Sequence, residues 1–253
     1  FIRFAEAQAL DYHIAVTGTE LGRSDGPFVP DSPASNRIVT PRTQPSPSQV
    51  FLQNANVGAS GGTERVLGAA YRALTPPLST GRNAGFLRRD AVLSIVGITD
   101  EPEQSAQPVD FYLNFFLSIK GFRNTQLFSF SSISGGLSGC SSSDGSASAA
   151  PRLVELANRT GGVEASVCTR DWSRTLEDLS RQAFGFKSRF FLTNQPVIQS
   201  VEVLVDDERV PASEASGRVN WSYDFSTNSV NFTPLAVPDP GQSIRIEYTA
   251  ECL

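Results

Sequence analysis

The stretch AVLSIVGITDEPEQS, residues 91–105, decides the fold. Its first eight residues are mostly apolar, and they run into the acids Asp100, Glu101 and Glu103. An apolar run this short, bounded by turn residues, reads as a buried strand. A carboxylate at the end of such a strand is a turn residue, a helix cap or a metal ligand.

Working outward, residues 62–77 (GTERVLGAAYRALTPP) place apolar side chains at 66, 67, 70, 71 and 74. That is the spacing of one helix face, and it stops at Pro76 and Pro77. Residues 108–121 (PVDFYLNFFLSIKG) open on Pro, close on Lys-Gly and are apolar nearly all round, which predicts a well-buried helix. Strands are expected at 11–20 (DYHIAVTGTE), 125–134 (TQLFSFSSIS) and 162–168 (GVEASVC), and helices at 150–162 and 173–185. The Pro- and Ser-rich residues 32–50 read as an irregular loop, and so does most of the Ser/Gly-rich segment 129–150.

Strands alternating with helices predict an α/β fold: a Rossmann-like, doubly wound, mostly parallel sheet. In such folds ligands sit beyond the carboxyl ends of the strands, where residues 98–105 fall. After residue 188 the pattern changes to short alternating strands with hairpin-like turns at VDDERV (205–210) and FSTNSV (225–230). The expected organisation is an α/β domain over 1–187 and a small antiparallel β unit over 188–253.

The chain has 253 residues, enough for one sizeable core and a small second domain. A net charge of −5 disfavours nucleic acid and anionic lipid as partners, and no apolar run approaches the ~18 residues of a membrane span. The cations are almost all Arg, with Lys120 and Lys187 the exceptions, a usage that points to a GC-rich bacterial genome. The opening residues FIRFAEAQAL read as the end of an amphipathic helix, which leads to the expectation of further residues upstream of Phe1.

The three cysteines are Cys140, Cys168 and Cys252, with no C-x-x-C spacing to bind zinc. A Cys140–Cys168 bridge would tie the Ser-rich loop to the end of a later strand and imply an extracytoplasmic location. Three buried free thiols are the alternative.

Nucleophilic catalysis has little support. His13 is the sole histidine, it sits inside a strand pattern, and no G-x-S-x-G elbow occurs. GASGG (58–62) precedes a helix but lacks the G-K-[ST] of a phosphate loop. Thr63 is either the N-cap of that helix or a ligand. Thr63 at a helix start and Asp100 at the end of the next strand should face one rim. A hydroxyl and a carboxylate converging there suit a hard divalent cation.

In this order of elements, residues 1–187 resemble a von Willebrand factor type A domain of the bacterial secreted or lipoprotein kind. The stretches HIAVTGTE, GASGGTERVLGAAYRAL, AVLSIVGITDEPEQS and VDFYLNFFLSIKG carry the resemblance. It implies a metal ion-dependent adhesion site in which Thr63 and Asp100 bind Mg²⁺ (or Mn²⁺ or Ca²⁺). Gly62 and Glu101 would lie on the rim facing the partner, and one open position would take a carboxylate from a protein ligand. The family's D-x-S-x-S loop is expected upstream of Phe1. DGSAS (144–148) matches that pattern by letter but follows no apolar strand, so Asp144, Ser146 and Ser148 are read as a chance match. Glu101 and Glu103 are otherwise expected to be solvated loop acids, and the sequons at Asn158, Asn220 and Asn231 carry no special meaning. The function this implies is a non-catalytic, extracytoplasmic (periplasmic, outer-membrane lipoprotein or secreted) adhesion module. A metal-free structural component of a surface assembly is the alternative, and a metal-dependent hydrolase using the acids at 100–103 ranks below both.

Overall fold

The computed structural model describes residues 2–7, 10–20, 26–30, 36–58, 63–89, 91–121, 127–183, 189–233, 236–239 and 242–251. The chain divides into two compact units, Phe1–Phe184 and Gly185–Leu253. The first holds α1 (Ile2–Ala7), α2 (Pro47–Ala55), α3 (Val66–Ala73), β1 (Leu93–Ile98), α4 (Val109–Lys120), β2 (Phe128–Ser134), β3 (Cys140–Ser142), β4 (Gly145–Ala147), α5 (Pro151–Thr160), β5 (Glu164–Ser166) and α6 (Ser173–Ala183). The second holds β6 (Arg189–Phe191), β7 (Glu202–Val205), β8 (Glu208–Val210), β9 (Trp221–Asp224), β10 (Ser229–Phe232) and β11 (Ile244–Glu247).

The first unit is built on a three-stranded parallel sheet in the order β1-β2-β5. Parallel neighbours need crossover connections, and α4 and α5 supply them. Phe128 and Phe130 of β2 point to one face, with Leu93 and Ile95 beside them in register. They meet Leu67 and Ala70 of α3, Tyr112 and Phe116 of α4, and Leu153 and Leu156 of α5 in one core. Phe116 stacks on Phe128 with ring centroids 5.3 Å apart. Gly97 lies on the same face, where an added Cβ would stand 2.7 Å from Val66 Cγ1 and 2.8 Å from Phe130 Cζ. Gly97→Ala is therefore expected to cost about 1–3 kcal/mol through overpacking, read as a lowered urea midpoint.

Several sequence expectations need correction. Residues 11–20 form no strand of the sheet. They run extended and touch their neighbours through isolated antiparallel bridges, Ile14 with Val39, Val16 with Val29 and Glu20 with Glu64. The buried strand is β2, every residue of which is buried. Among the described strands β1 lies at the sheet edge, and Ile98 is 54% exposed. Helix α4 buries one face only, through Val109, Tyr112, Leu113, Phe116 and Lys120, and leaves Phe111 and Asn114 outside. Within the supposed loop 32–50, Pro47 starts α2, since proline's missing N–H costs nothing in a first helical turn. Segment 129–150 carries most of β2 and the β3–β4 hairpin.

The second unit contains two three-stranded antiparallel sheets, β6-β10-β9 and β11-β7-β8. They share a core of Val201, Val203, Trp221, Val230 and Phe232. The β7–β8 hairpin turns on Asp206 and Asp207, both at positive φ (50° and 66°), as a two-residue hairpin loop of the I′ kind requires. Backbone N–H of Ser243 and the Gln242 amide donate to the Asp206 carboxylate and hold its pKa below the ordinary value.

Candidate functional site

The carboxyl ends of β1, β2 and β5 form one rim. From β1 the chain passes through Thr99 and Asp100 to Ser105. From β2 it passes through a Gly-rich turn, 135–139, into the β3–β4 hairpin. Asp100 is exposed, and its carbonyl accepts a hydrogen bond from Ser148 N at 2.8 Å. Ser148 thereby joins the hairpin to the β1 loop. Gly135 makes the approach possible, because a Cβ there would sit 2.1 Å from Ser148 O. Ala150 N donates to Gly136 O at 2.8 Å and closes the base of the hairpin. After β5, Cys168 bonds to Cys140 with a Cα–Cα distance of 6.1 Å. The disulfide expected between these two residues is present, and it ties β3 to the segment leaving the sheet. Between the strand ends lies an open cavity of about 300 Å³, lined by residues 135–140 and by Glu164, Ala165 and Ser166.

The loops holding Thr63 and Asp100 also meet. Thr99 Oγ1 donates to the Glu64 carboxylate, and Gln104 N donates to Glu64 O at 3.0 Å. Thr63 is half-buried, and it is not the N-cap of α3. That position belongs to Arg65, which offers no capping side chain. The capping comes from far along the chain. Leu67 N donates to Glu103 Oε1 at 3.3 Å, and Gly68 N donates to Ser105 Oγ at 2.7 Å. Ser105 donates in turn, through both its N and its Oγ, to Glu103 Oε1. Glu103 Oε2 forms an ion pair with Arg152 of α5 at 2.9 Å, and Arg152 also reaches Ser105 O at 2.7 Å and Gln107 O.

Glu103 is therefore no solvated acid: its side chain is fully buried, at 0% exposure. It accepts the free N–H of the second helical position directly, orients the Ser105 hydroxyl that accepts the third, and places a negative charge where it complements the helix dipole. Glu101 is half-buried, and its N–H bonds to Thr99 Oγ1 at 3.0 Å. Gly62 lies outside the described residues, as does Cys252.

DGSAS is the turn and second strand of the hairpin. Asp144 is exposed at the turn and accepts a bond from Ser143 Oγ at 3.3 Å. Ser146 pairs with Ser141 across the two strands. Among the described residues no three His, Cys, Asp or Glu side chains come together as a metal-holding group. Thr63 and Asp100 offer two oxygen-bearing side chains where an octahedral Mg²⁺ needs six oxygens, so the described residues do not make a complete cation site. His13 Nδ1 lies 3.2 Å from Phe86 O. Of the sequon asparagines, Asn158 is exposed, whereas Asn220 is buried and donates to Pro211 O, and Asn231 accepts from Arg189. No described helix is long and apolar enough to cross a membrane.

Compared with protein-family models, with curated proteins and with solved structures, the chain matches none.

Proposed function

We propose that this chain is a non-catalytic, extracytoplasmic binding module related to the von Willebrand factor type A domains, and that it engages a protein partner at the carboxyl rim of its parallel sheet. The observation that carries this reading is the construction of the rim. The segments leaving the three strands are tied by the Ser148–Asp100 hydrogen bond and the Cys140–Cys168 disulfide, and the Glu64–Thr99 contact adds the segment that leads into α3. A rim tied in this way presents a pre-ordered surface, and pre-ordering lowers the entropic cost of docking a partner. A disulfide persists in oxidising compartments, which supports the location. The exposed Asp100 stands where ligands of parallel α/β sheets gather.

In the cation-dependent form of this reading, Mg²⁺ (or Mn²⁺ or Ca²⁺) is held by Thr63 and Asp100, with further oxygens from beyond the described residues and from the partner's carboxylate. The ion would act as a Lewis acid for that carboxylate, with no bond broken. A second reading is a structural component without an ion, in keeping with the lack, among the described residues, of three His, Cys, Asp or Glu side chains grouped to hold one.

Calorimetric titration of the full-length protein with Mg²⁺ and Mn²⁺ separates the two. The cation-dependent form predicts saturable heat that Asp100→Ala abolishes. Equal heats from both proteins remove Asp100 from the site, and no heat from either leaves the structural reading.

A further inference from the structure

Away from the rim, the extended residues 10–16 and the turn 39–43 enclose a second cleft of about 480 Å³, lined by Leu10, Asp11, His13, Thr40, Pro41 and Arg42. We propose that this cleft binds a small hydroxylated carboxylate, with a sugar acid as the simplest case.

The cleft is built rather than incidental. Its two walls are joined by the Ile14–Val39 bridge, with backbone hydrogen bonds of 2.9 and 2.7 Å. On one wall Thr40 N donates to Thr43 Oγ1 at 2.8 Å, Thr43 N donates to Thr40 O at 3.0 Å, and Arg42 N donates to Thr40 Oγ1 at 3.3 Å. Arg42 thus stands on a locked turn. On the other wall Arg88 holds Asp11 twice, through its carboxylate at 2.6 Å and its carbonyl at 3.1 Å. His13 is anchored to Phe86 O at 3.2 Å.

Each lining group asks for a different part of the ligand. The Arg42 guanidinium has no partner among the described residues, and its planar fork matches a carboxylate. A carbonyl only accepts, so His13 Nδ1 carries a hydrogen toward Phe86. In the singly protonated ring Nε2 is then an acceptor, and it calls for a hydroxyl donor. The Asp11 carboxylate, with one oxygen paired to Arg88, keeps its other oxygen as an acceptor on the same wall. Leu10 and Pro41 supply apolar surface for a C–H face. A bare inorganic anion would leave the His13 acceptor unanswered, and a neutral sugar would leave Arg42 unanswered. A polyhydroxy carboxylate answers all of them.

His13 is the sole histidine, so its one pair of imidazole ring ¹⁵N signals reports the cleft directly. Titration of the ¹⁵N-labelled protein with sodium glucuronate is expected to shift these signals saturably, with glucose and acetate binding at least about tenfold more weakly, a difference of about 1.4 kcal/mol. Arg42→Ala should weaken glucuronate binding by a similar factor, and Arg42→Lys should not restore it. Arg42 is exposed, and the Ile14–Val39 bridge survives its removal, so the variant's backbone amide spectrum serves as the folding control. A glucuronate oligomer titrated alongside tells a polymer end or chain from a free sugar acid, since only the former gains affinity with length. The proposal falls if glucuronate binds no better than both controls, or if folded Arg42→Ala binds it as the unaltered chain does.

Discussion

Glu103→Ala is expected to lower the stability of the α/β unit by on the order of 3 kcal/mol, because it removes the acceptor of two elements at once. Leu67 N loses its partner directly. Ser105, which caps Gly68 N, loses the group that orients it. Arg152, with a side chain 28% exposed, is left over a buried site with no opposite charge, although its bonds to Ser105 O and Gln107 O remain. Glu103→Gln keeps an amide oxygen for Leu67 and Ser105 and gives up only the charge, so roughly half the loss is expected. Urea unfolding with an unchanged slope is the measurement. An alanine variant within about 0.5 kcal/mol of the unaltered chain would remove Glu103 from the role of cap and anchor.

Breaking the disulfide is expected to cost a similar amount by another route. Cys140 and Cys168 are 28 residues apart, and closing a loop of that length removes about 3–4 kcal/mol of conformational freedom from the unfolded chain. Cys140→Ser, Cys168→Ser and the double variant should therefore lose the same amount, since either single change opens the loop. Added reductant should bring the unaltered chain to the same urea midpoint. A double variant much less stable than either single one would point to packing of the sulfurs rather than to loop closure.

The parts legible in the sequence were those with a regular period or a clear stop. Helix α5 ends at Thr160 before Gly161, which takes the left-handed conformation (φ 66°), as the terminal glycines of its sequence lead one to expect. The VDDERV turn was readable because acidic residues tolerate positive φ and flank alternating strands. The apolar run at 93–98 identified a strand but not its place, because a strand with one unpaired edge and a buried one share the same letters. Residues 11–20 alternate correctly for a strand, yet their partners lie in irregular segments and give only single bridges.

The site was less legible than the fold. Chain order leads one to expect the loops of Thr63 and Asp100 on one rim, and the contacts that join these loops are those of Glu64 with Thr99 and Gln104. The role of Glu103 did not, since its helix begins 37 positions earlier and no local spacing links the two. An acid followed two residues later by serine is an ordinary loop sequence until the fold brings a bare helix end to it. Likewise, the Ser-rich 135–150 segment looked featureless because its order comes from a covalent bond and from backbone pairing, neither of which has a residue period.

The placement of that bond has a mechanical consequence. The β3–β4 hairpin is only three residue pairs long, too short for its hydrogen bonds alone to withstand a sustained pull. A pull on β3 passes from Cys140 both along the backbone to β2 and through the covalent link to Cys168, just beyond β5. The pairing of β3 with β4 gains nothing from that link, but the β3 end of the hairpin stays tethered to the sheet when the pairing opens.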